Sequence, residues 1–152
     1  MKALYLWLPM LISVSLLACS SNHKEVIEPD IQNVDSMKLK ISVGQRVLTA
    51  TMYDNPTSKD FVSLLPLTLS LTDYSNNEKI SDLPRRLSTQ GAPAGYKPSA
   101  GDITIYAPWG NLAVFYKDGG YASGLIPLGK LDGGIDVFNV PGPVQVKIEL
   151  LQ

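Results

Sequence analysis

The sequence predicts a mainly β fold, a closed barrel of short, mostly antiparallel strands with one or two short capping helices. Apolar and polar residues alternate over residues 37–43 and again over residues 144–150, which is the pattern of a strand with one buried face. The chain also has 12 glycines and 11 prolines, which favour frequent turns over long helices. Many short antiparallel strands favour closure, because a closed barrel leaves no exposed strand edge.

The domain is expected to open with a hairpin. Residues 37–43 form its first strand, Gly44 and Gln45 its turn, and residues 46–53 its second strand. The alternation over the first strand predicts that one face of this hairpin lies on the core of the barrel.

A short helix is predicted after the hairpin. Thr57 and Asp60 resemble a capping pair at its start. Phe61 and Leu64 fall on one helical face, so they should pack against one end of the sheet. Pro66 should end the helix, because helical geometry is disfavoured for the residue before a proline.

The rest of the domain is expected to consist of further short strands. A turn at Asn76 and Asn77 and a long surface loop over residues 87–100, rich in glycine, proline, alanine and serine, separate them. Residues 125–131 are expected to hold a strand and a helical turn. The remaining strands are predicted at residues 67–72, 103–106, 112–116 and 144–150.

Composition and charge narrow the possible functions. The chain has 152 residues and a formal net charge of −1, so nothing in its charge favours binding to nucleic acid. The single histidine, His23, precedes the predicted domain, and the single cysteine, Cys19, precedes it as well. Nucleophilic schemes of the Ser-His-Asp and Cys-His types are therefore excluded for residues 37–152.

No metal or cofactor site is predicted. Asp118, Asp132 and Asp136 lie beside or near glycines, but their spacing fits no calcium loop, and turn formation explains them. Residues 119–124 have the outline of a glycine-rich phosphate loop. The Lys-Ser or Lys-Thr pair that such a loop requires does not follow.

The chain begins like an exported protein. Lys2 precedes the almost wholly apolar residues 3–17, a length that fits a signal peptide better than a membrane-spanning helix of about 20 residues. The run ends in Leu-Leu-Ala-Cys at Cys19, which resembles the bacterial lipobox. The resemblance implies cleavage after Ala18 and lipidation of Cys19. A plain signal peptide and an uncleaved anchor are the alternatives.

The predicted organisation has three parts. Residues 1–18 are a lipoprotein signal peptide, residues 19–36 are the lipidated cysteine and a polar, flexible tether, and residues 37–152 are the domain. Lipid on Cys19 would hold the protein on the extracytoplasmic side of a membrane, which is the partner that the motif implies. Ser20, rather than Asp, follows the cysteine, and this resembles the sorting pattern for the outer membrane, facing the periplasm, if the host has two membranes.

Three segments of the domain resemble cyclophilins, and most closely the small bacterial cyclophilin-like domains. Residues 55–65 are similar to the first cyclophilin helix, where a proline precedes a capped helix with inward Phe and Leu. The runs Gly-Asp-Ile-Thr-Ile-Tyr at residues 101–106 and Leu-Ala-Val-Phe-Tyr at residues 112–116 resemble the strands that flank the cyclophilin peptide groove. The resemblance spans residues 37–151 and implies a cyclophilin-like closed β-barrel.

The resemblance also implies a chemistry to look for. True cyclophilins catalyse rotation about X–Pro bonds, whose barrier of ~18–20 kcal/mol comes from amide resonance. In them an arginine of a Phe-His-Arg segment supplies a hydrogen-bond donor near the proline nitrogen. This chain has no such segment, and its nearest basic pair is Arg85 and Arg86. These two are the candidate catalytic or carbonyl-binding residues, with a solvated surface position as the alternative.

The candidate groove residues are aromatic. Phe115 matches the position of the cyclophilin pocket phenylalanine, and Tyr106, Tyr116 and Trp109 lie near it in sequence. Tyr96 is the aromatic side chain that the long loop would display, and binding residues are common on such loops. Packing in the core or in a turn is the alternative for each of these residues.

Three functions are compatible with these features. The preferred one is a membrane-anchored cyclophilin-like binding module that holds an extended peptide or a small molecule in a groove on the side of the barrel, without catalysis. The alternative is a weak peptidyl-prolyl cis-trans isomerase acting on exported proteins, with Arg85 or Arg86 as its donor. The third is an envelope assembly subunit without a small ligand.

Overall fold

The computed structural model describes residues 37–152. The predicted signal peptide, the lipidation site Cys19 and the tether at residues 19–36 lie outside the described residues. Within residues 37–152, no helix is long and apolar enough to span a membrane.

The described chain folds into an eight-stranded closed antiparallel barrel, which confirms the predicted fold class. The barrel order is β1-β10-β3-β4-β7-β6-β9-β2, and β5 and β8 form a separate two-stranded sheet. The elements are β1 (Lys38–Val43), β2 (Arg46–Met52), α1 (Pro56–Val62), β3 (Leu67–Tyr74), β4 (Glu78–Asp82), β5 (Gly95–Tyr96), β6 (Asp102–Tyr106), β7 (Asn111–Phe115), β8 (Ala122–Ser123), β9 (Leu125–Leu131), a 3-10 helix (Ile135–Phe138) and β10 (Val144–Leu150).

The first and last strands close the barrel, as their matching alternation suggests. β1 pairs with β10 and places Ile41 opposite Ile148, and both side chains are buried. β1 also pairs with β2 through the turn at Gly44, whose φ of +57° suits a glycine. The apolar residues at every second position of these strands therefore fill the barrel interior, as expected for antiparallel strands that bury one face.

The helix α1 packs against β9, but the prediction that Thr57 caps the helix is wrong. Asn55 is the N-cap, since its side-chain oxygen accepts a hydrogen bond of 2.8 Å from the backbone N–H of Ser58. Pro56 then occupies the first turn, where no N–H is needed. Thr57 is buried instead, and Phe61 is fully buried in the core, as predicted.

The region after β7 also differs from the prediction in one respect. Residues 125–131 are strand throughout, and the helical turn comes later, at Ile135–Phe138. Pro127 and Gly129 made this segment ambiguous, since both weaken a strand pattern. β9 accommodates Pro127 beside a register shift in its pairing with β6. The long loop over residues 87–100 contains β5, which pairs with β8.

Candidate functional site

The site lies on the outer face of β4, β6 and β7. Every residue of β7 is buried, although only one face of the strand contacts the barrel interior. Leu112 and Val114 point into the main core, whereas Ala113 and Phe115 join Leu125 in a second apolar cluster on the opposite face. The chain around β5 and β8 covers part of this second face, and what it leaves open is a groove.

This groove has a volume of about 340 Å³. Phe115 and Leu125 contribute to its apolar surface together with Ile80 of β4. The complete lining consists of Tyr74, Ser75, Asn77, Glu78, Ile80, Tyr106, Trp109, Asn111, Phe115, Gly119, Gly120, Tyr121, Ala122 and Leu125.

Aromatic side chains form the wall of the groove. The ring of Trp109 makes edge-to-face contacts with Tyr74 at 5.6 Å and with Tyr106 at 5.2 Å between centroids. Trp109 is 56 % exposed and Tyr121 is 67 % exposed. A cluster of exposed aromatic residues beside a concave surface is typical of a binding site, because water hydrates such a patch poorly.

Two asparagines of the groove lining have side-chain oxygens that the described residues do not satisfy. Asn111 is only 3 % exposed, and its Oδ1 atom has no hydrogen-bond partner within residues 37–152. The Oδ1 atom of Asn77 is buried without a partner as well. An unpaired buried polar atom costs about 1–3 kcal/mol, and both of these lie in residues at the edge of the groove.

Glu78 is the charged residue of the groove. It lies opposite Phe115 in the β4–β7 pairing, so the two side chains share one face. Burial raises the pKa of the Glu78 carboxyl to about 7, because desolvation disfavours its charged form. Among the described residues, no Lys, Arg or His lines the groove to offset this effect.

Three of the five predicted groove residues line this groove, namely Phe115, Tyr106 and Trp109. Tyr96 packs against the same apolar cluster but is not among the residues that line the groove. Its hydroxyl donates to Asp102 at 2.9 Å. Burial and this hydrogen bond raise the pKa of Tyr96 to about 12. Tyr96 therefore holds the loop against the barrel and does not line the groove.

Tyr116 faces away from the groove. It follows Phe115 directly, and successive residues of an extended chain point to opposite sides. Its side chain joins the main core, and its hydroxyl donates to Asp73 at 2.9 Å. The predicted placement of Tyr116 in the groove is not what the structure shows.

Neither predicted arginine lines the groove. Arg85 donates from its two terminal guanidinium nitrogens to the carboxylate of Asp60 in α1, at 3.0 and 2.6 Å. This pairing is the largest cause that lowers the pKa of Asp60 to about 2. Arg86 donates to the carbonyl oxygens of Ala107, at 2.8 Å, and Pro108, at 3.2 Å. Arg86 borders a separate cavity of about 320 Å³, which is also lined by Leu87 and Thr89.

Sequence reasoning missed the polar half of the groove. Glu78 lies in a polar run, Asn-Asn-Glu-Lys, that resembles a surface turn, and β4 was not predicted. Asn111 directly precedes the apolar run at residues 112–116, which is the only sequence signal that it belongs to the strand. Within residues 37–152, no group of three or more His, Cys, Asp or Glu side chains is placed to hold a metal ion.

The comparisons with known proteins agree with the barrel. The model of the Cyclophilin-like family matches residues 41–149, which extend from β1 to β10. The solution structure of a hypothetical protein from Archaeoglobus fulgidus is similar, with a TM-score of 0.55 and 16 % sequence identity. The similarity covers 79 % of this chain and 98 % of that one and shows a shared fold. No curated protein matches the chain.

Proposed function

The chain belongs to the cyclophilin-like family, and from this premise we propose that its barrel is a binding module that holds an extended peptide or a small molecule beside Phe115. The observation that carries the proposal is a groove of about 340 Å³ walled by exposed aromatic residues, with Glu78 and Asn111 in its lining. Apolar surface with a few convergent polar atoms is the usual composition of a ligand pocket.

The dimensions of the groove favour a short extended ligand. Asn111 and Phe115 are separated by four positions on β7, which corresponds to about 13 Å of strand. A stretch of about four extended peptide residues has the same length. Such a ligand can place its side chains on Phe115 and Trp109.

Binding without catalysis is the function that this groove supports. Isomerisation of an X–Pro bond requires a donor that weakens the amide resonance, and an arginine is the donor in true cyclophilins. Arg85 is engaged with Asp60, and Arg86 is engaged with the backbone at Ala107 and Pro108. The groove lining described above therefore supplies no guanidinium to a bound proline.

We propose further that the module is anchored by lipid. The apolar residues 3–17 and the Leu-Leu-Ala-Cys run ending at Cys19 support processing as a lipoprotein. The anchor would place the barrel on the extracytoplasmic side of a membrane, and at the periplasmic face of the outer membrane in a host with two membranes.

Filling the groove from Gly120 is expected to abolish binding. Gly120 belongs to the groove lining, a Cβ atom added to it meets no atom within 4 Å, and its φ is not left-handed, so Gly120→Phe adds a ring at the groove without backbone strain. We expect the affinity for acetylated tetrapeptide amides to fall at least about tenfold. Isothermal titration of the full chain with a panel of such peptides measures the effect.

Gly133→Phe is the matched control for this experiment. Gly133 is equally open and has no left-handed φ, but it lies outside the groove. Equal affinities of the Gly120→Phe and Gly133→Phe variants would contradict binding in the groove.

An isomerisation assay tests the catalytic alternative. We expect that the full chain does not accelerate cis-trans exchange in a proline tetrapeptide. The time constant should stay at its uncatalysed value of about tens to hundreds of seconds. Acceleration by the wild-type chain that is lost in the Arg85→Ala/Arg86→Ala double variant would overturn the binding-only function.

A further inference from the structure

We propose that the groove selects a cationic ligand and seats a primary ammonium group, such as that of a lysine side chain in an extended peptide, at Glu78. The inference rests on the proposed function, since it names the chemistry of the ligand that the groove beside Phe115 would hold.

The charges of the groove favour this class of ligand. Glu78 is the one acidic or basic side chain of its lining, the tyrosines aside, and it makes no hydrogen bond or ion pair with any other described residue. The lysine that follows Glu78 and a lysine whose backbone N–H donates to the carbonyl oxygen of Asn77 are both engaged elsewhere. Lys79 is fully buried on the opposite face of β4, with its Nζ atom 2.7 Å from Asp73, and Lys117 donates to the carbonyl oxygen of Asn76 at 3.1 Å. Within residues 37–152, the Glu78 carboxylate is therefore without a counterion.

The aromatic wall strengthens the preference for a cation. Tyr74 lies directly opposite Glu78 in the β3–β4 pairing, so the ring and the carboxyl are cross-strand neighbours. Trp109 contacts the ring of Tyr74. Aromatic faces attract ammonium groups, by about 0.5–1 kcal/mol at exposed sites and more when water is excluded. An anionic ligand would meet both the carboxylate and these rings unfavourably.

The apolar surface beside Glu78 suits the carbon stem of a lysine. Phe115 lies opposite Glu78, and Ile80 is two residues farther along the same face of β4. A lysine side chain carries four methylene groups that bury well against such surface while the ammonium group reaches a polar partner.

The affinity for such a ligand should depend on pH. Burial holds the pKa of free Glu78 at about 7, so its carboxyl is partly protonated at neutral pH. A bound ammonium favours the charged carboxylate, and affinity should therefore rise with pH up to about 7 and level off above it. The other titratable groups facing Glu78 across the groove are Tyr74, Tyr106 and Tyr121. Asp73, which precedes Tyr74, and Lys79, which follows Glu78, form an ion pair with each other.

A pair of tetrapeptides that differ only in charge tests the inference. Acetyl-Ala-Ala-Lys-Ala amide is titrated into the full chain by calorimetry and compared with the same peptide carrying norleucine, which keeps the stem and lacks the ammonium. At about pH 8 we expect the lysine peptide to bind about tenfold to a hundredfold more tightly, the range for a charge-assisted hydrogen bond. At about pH 5.5 the ratio should shrink, because Glu78 is then protonated.

Glu78→Gln is the decisive variant. It should remove the preference for lysine over norleucine and the pH dependence of that preference, so the measured quantity is the ratio of the two affinities in each chain. Because glutamine replaces a carboxylate that is unfavourably buried above pH 7, the variant should fold at least as stably as the wild type, so loss of structure does not explain the result. Glu149→Gln, at a carboxylate paired with Lys147 outside the groove, is the control and should retain the preference.

The outcomes separate the two proposals. Equal affinity for the lysine and norleucine peptides would overturn the cationic ligand and leave the binding module standing. No binding of either peptide, or of any tetrapeptide in the panel, would overturn the binding module itself. Titration with 1,4-diaminobutane identifies the source of the ammonium group. Affinity equal to that of the lysine peptide would assign the site to free amines, and weaker affinity would assign it to peptides.

Discussion

Replacing Lys79 by alanine is expected to lower the free energy of unfolding by about 3–5 kcal/mol, the largest change that we anticipate for a single substitution in the barrel. Lys79 has no exposed surface, and its ammonium group donates to Asp73 and to the carbonyl oxygens of Val140 and Gly142, each at 2.7 Å. All three ammonium protons are therefore used. Its loss leaves these acceptors unpaired and a cavity where the stem was.

The lysine also links parts of the chain that are distant in sequence. Val140 and Gly142 lie in the connection between the 3-10 helix and β10, about sixty residues beyond Lys79. Asp73, on β3, is held by Tyr116 as well. We therefore expect denaturant unfolding of the Lys79→Ala variant to show a lower midpoint and earlier amide exchange in the residues 139–142.

Two further variants serve as comparisons for the Lys79→Ala experiment. Lys79→Met keeps most of the buried volume and should lose less stability than Lys79→Ala. Lys59→Ala removes a lysine whose partner, Asp54, is exposed, and it should change stability by no more than about 0.5 kcal/mol. A Lys79→Ala chain as stable as the Lys59→Ala chain would contradict the structural role of this buried cation.

Replacing Cys19 by alanine is expected to release the protein from membranes. The lipobox-like run implies that lipid is attached to this sulfur, and each buried methylene of an acyl chain contributes ~0.8 kcal/mol to membrane binding. Loss of all acyl chains should therefore move the protein from the membrane fraction to the soluble fraction. Cell fractionation followed by immunoblotting measures the distribution.

A neighbouring serine supplies the control for this experiment. Ser20→Ala alters the residue after the cysteine and keeps the sulfur, so this variant should remain with the membranes. A Cys19→Ala chain that stays membrane-bound after its signal peptide has been removed would contradict lipid anchoring.

The barrel could be predicted from the sequence because its determinants are local. The period-two alternation at residues 37–43 and 144–150 places Ile41 and Ile148 on inner faces whichever strands they pair with. The same period could have excluded Tyr116 from the groove, since it follows Phe115 on an extended strand. The helix cap was predicted wrongly because Asn55 and Thr57 are both good capping residues. Pro56 favours Asn55 as the cap, since a proline is common at the first position of a helix, directly after the N-cap.

The role of Glu78 in the site depends on tertiary contacts and had no local signal. Glu78 and Lys79 are adjacent charged residues that resemble a solvated turn. Only the β3–β4–β7 pairing shows that one lines a groove and the other is buried with Asp73. Arg85 likewise has an unremarkable context in sequence, and its partner Asp60 is 25 residues away.

A titration followed by amide chemical shifts tests most directly whether the groove beside Phe115 is a binding site. The full chain in detergent micelles is titrated with acetyl-Ala-Ala-Lys-Ala amide. We predict that the shifts concentrate on Glu78, Asn111, Phe115 and the residues 119–122, and that they disappear in the Gly120→Phe variant and persist in the Gly133→Phe variant. Shifts centred instead on the cavity beside Arg86, Leu87 and Thr89, or no shifts with any peptide of the panel, would contradict the account.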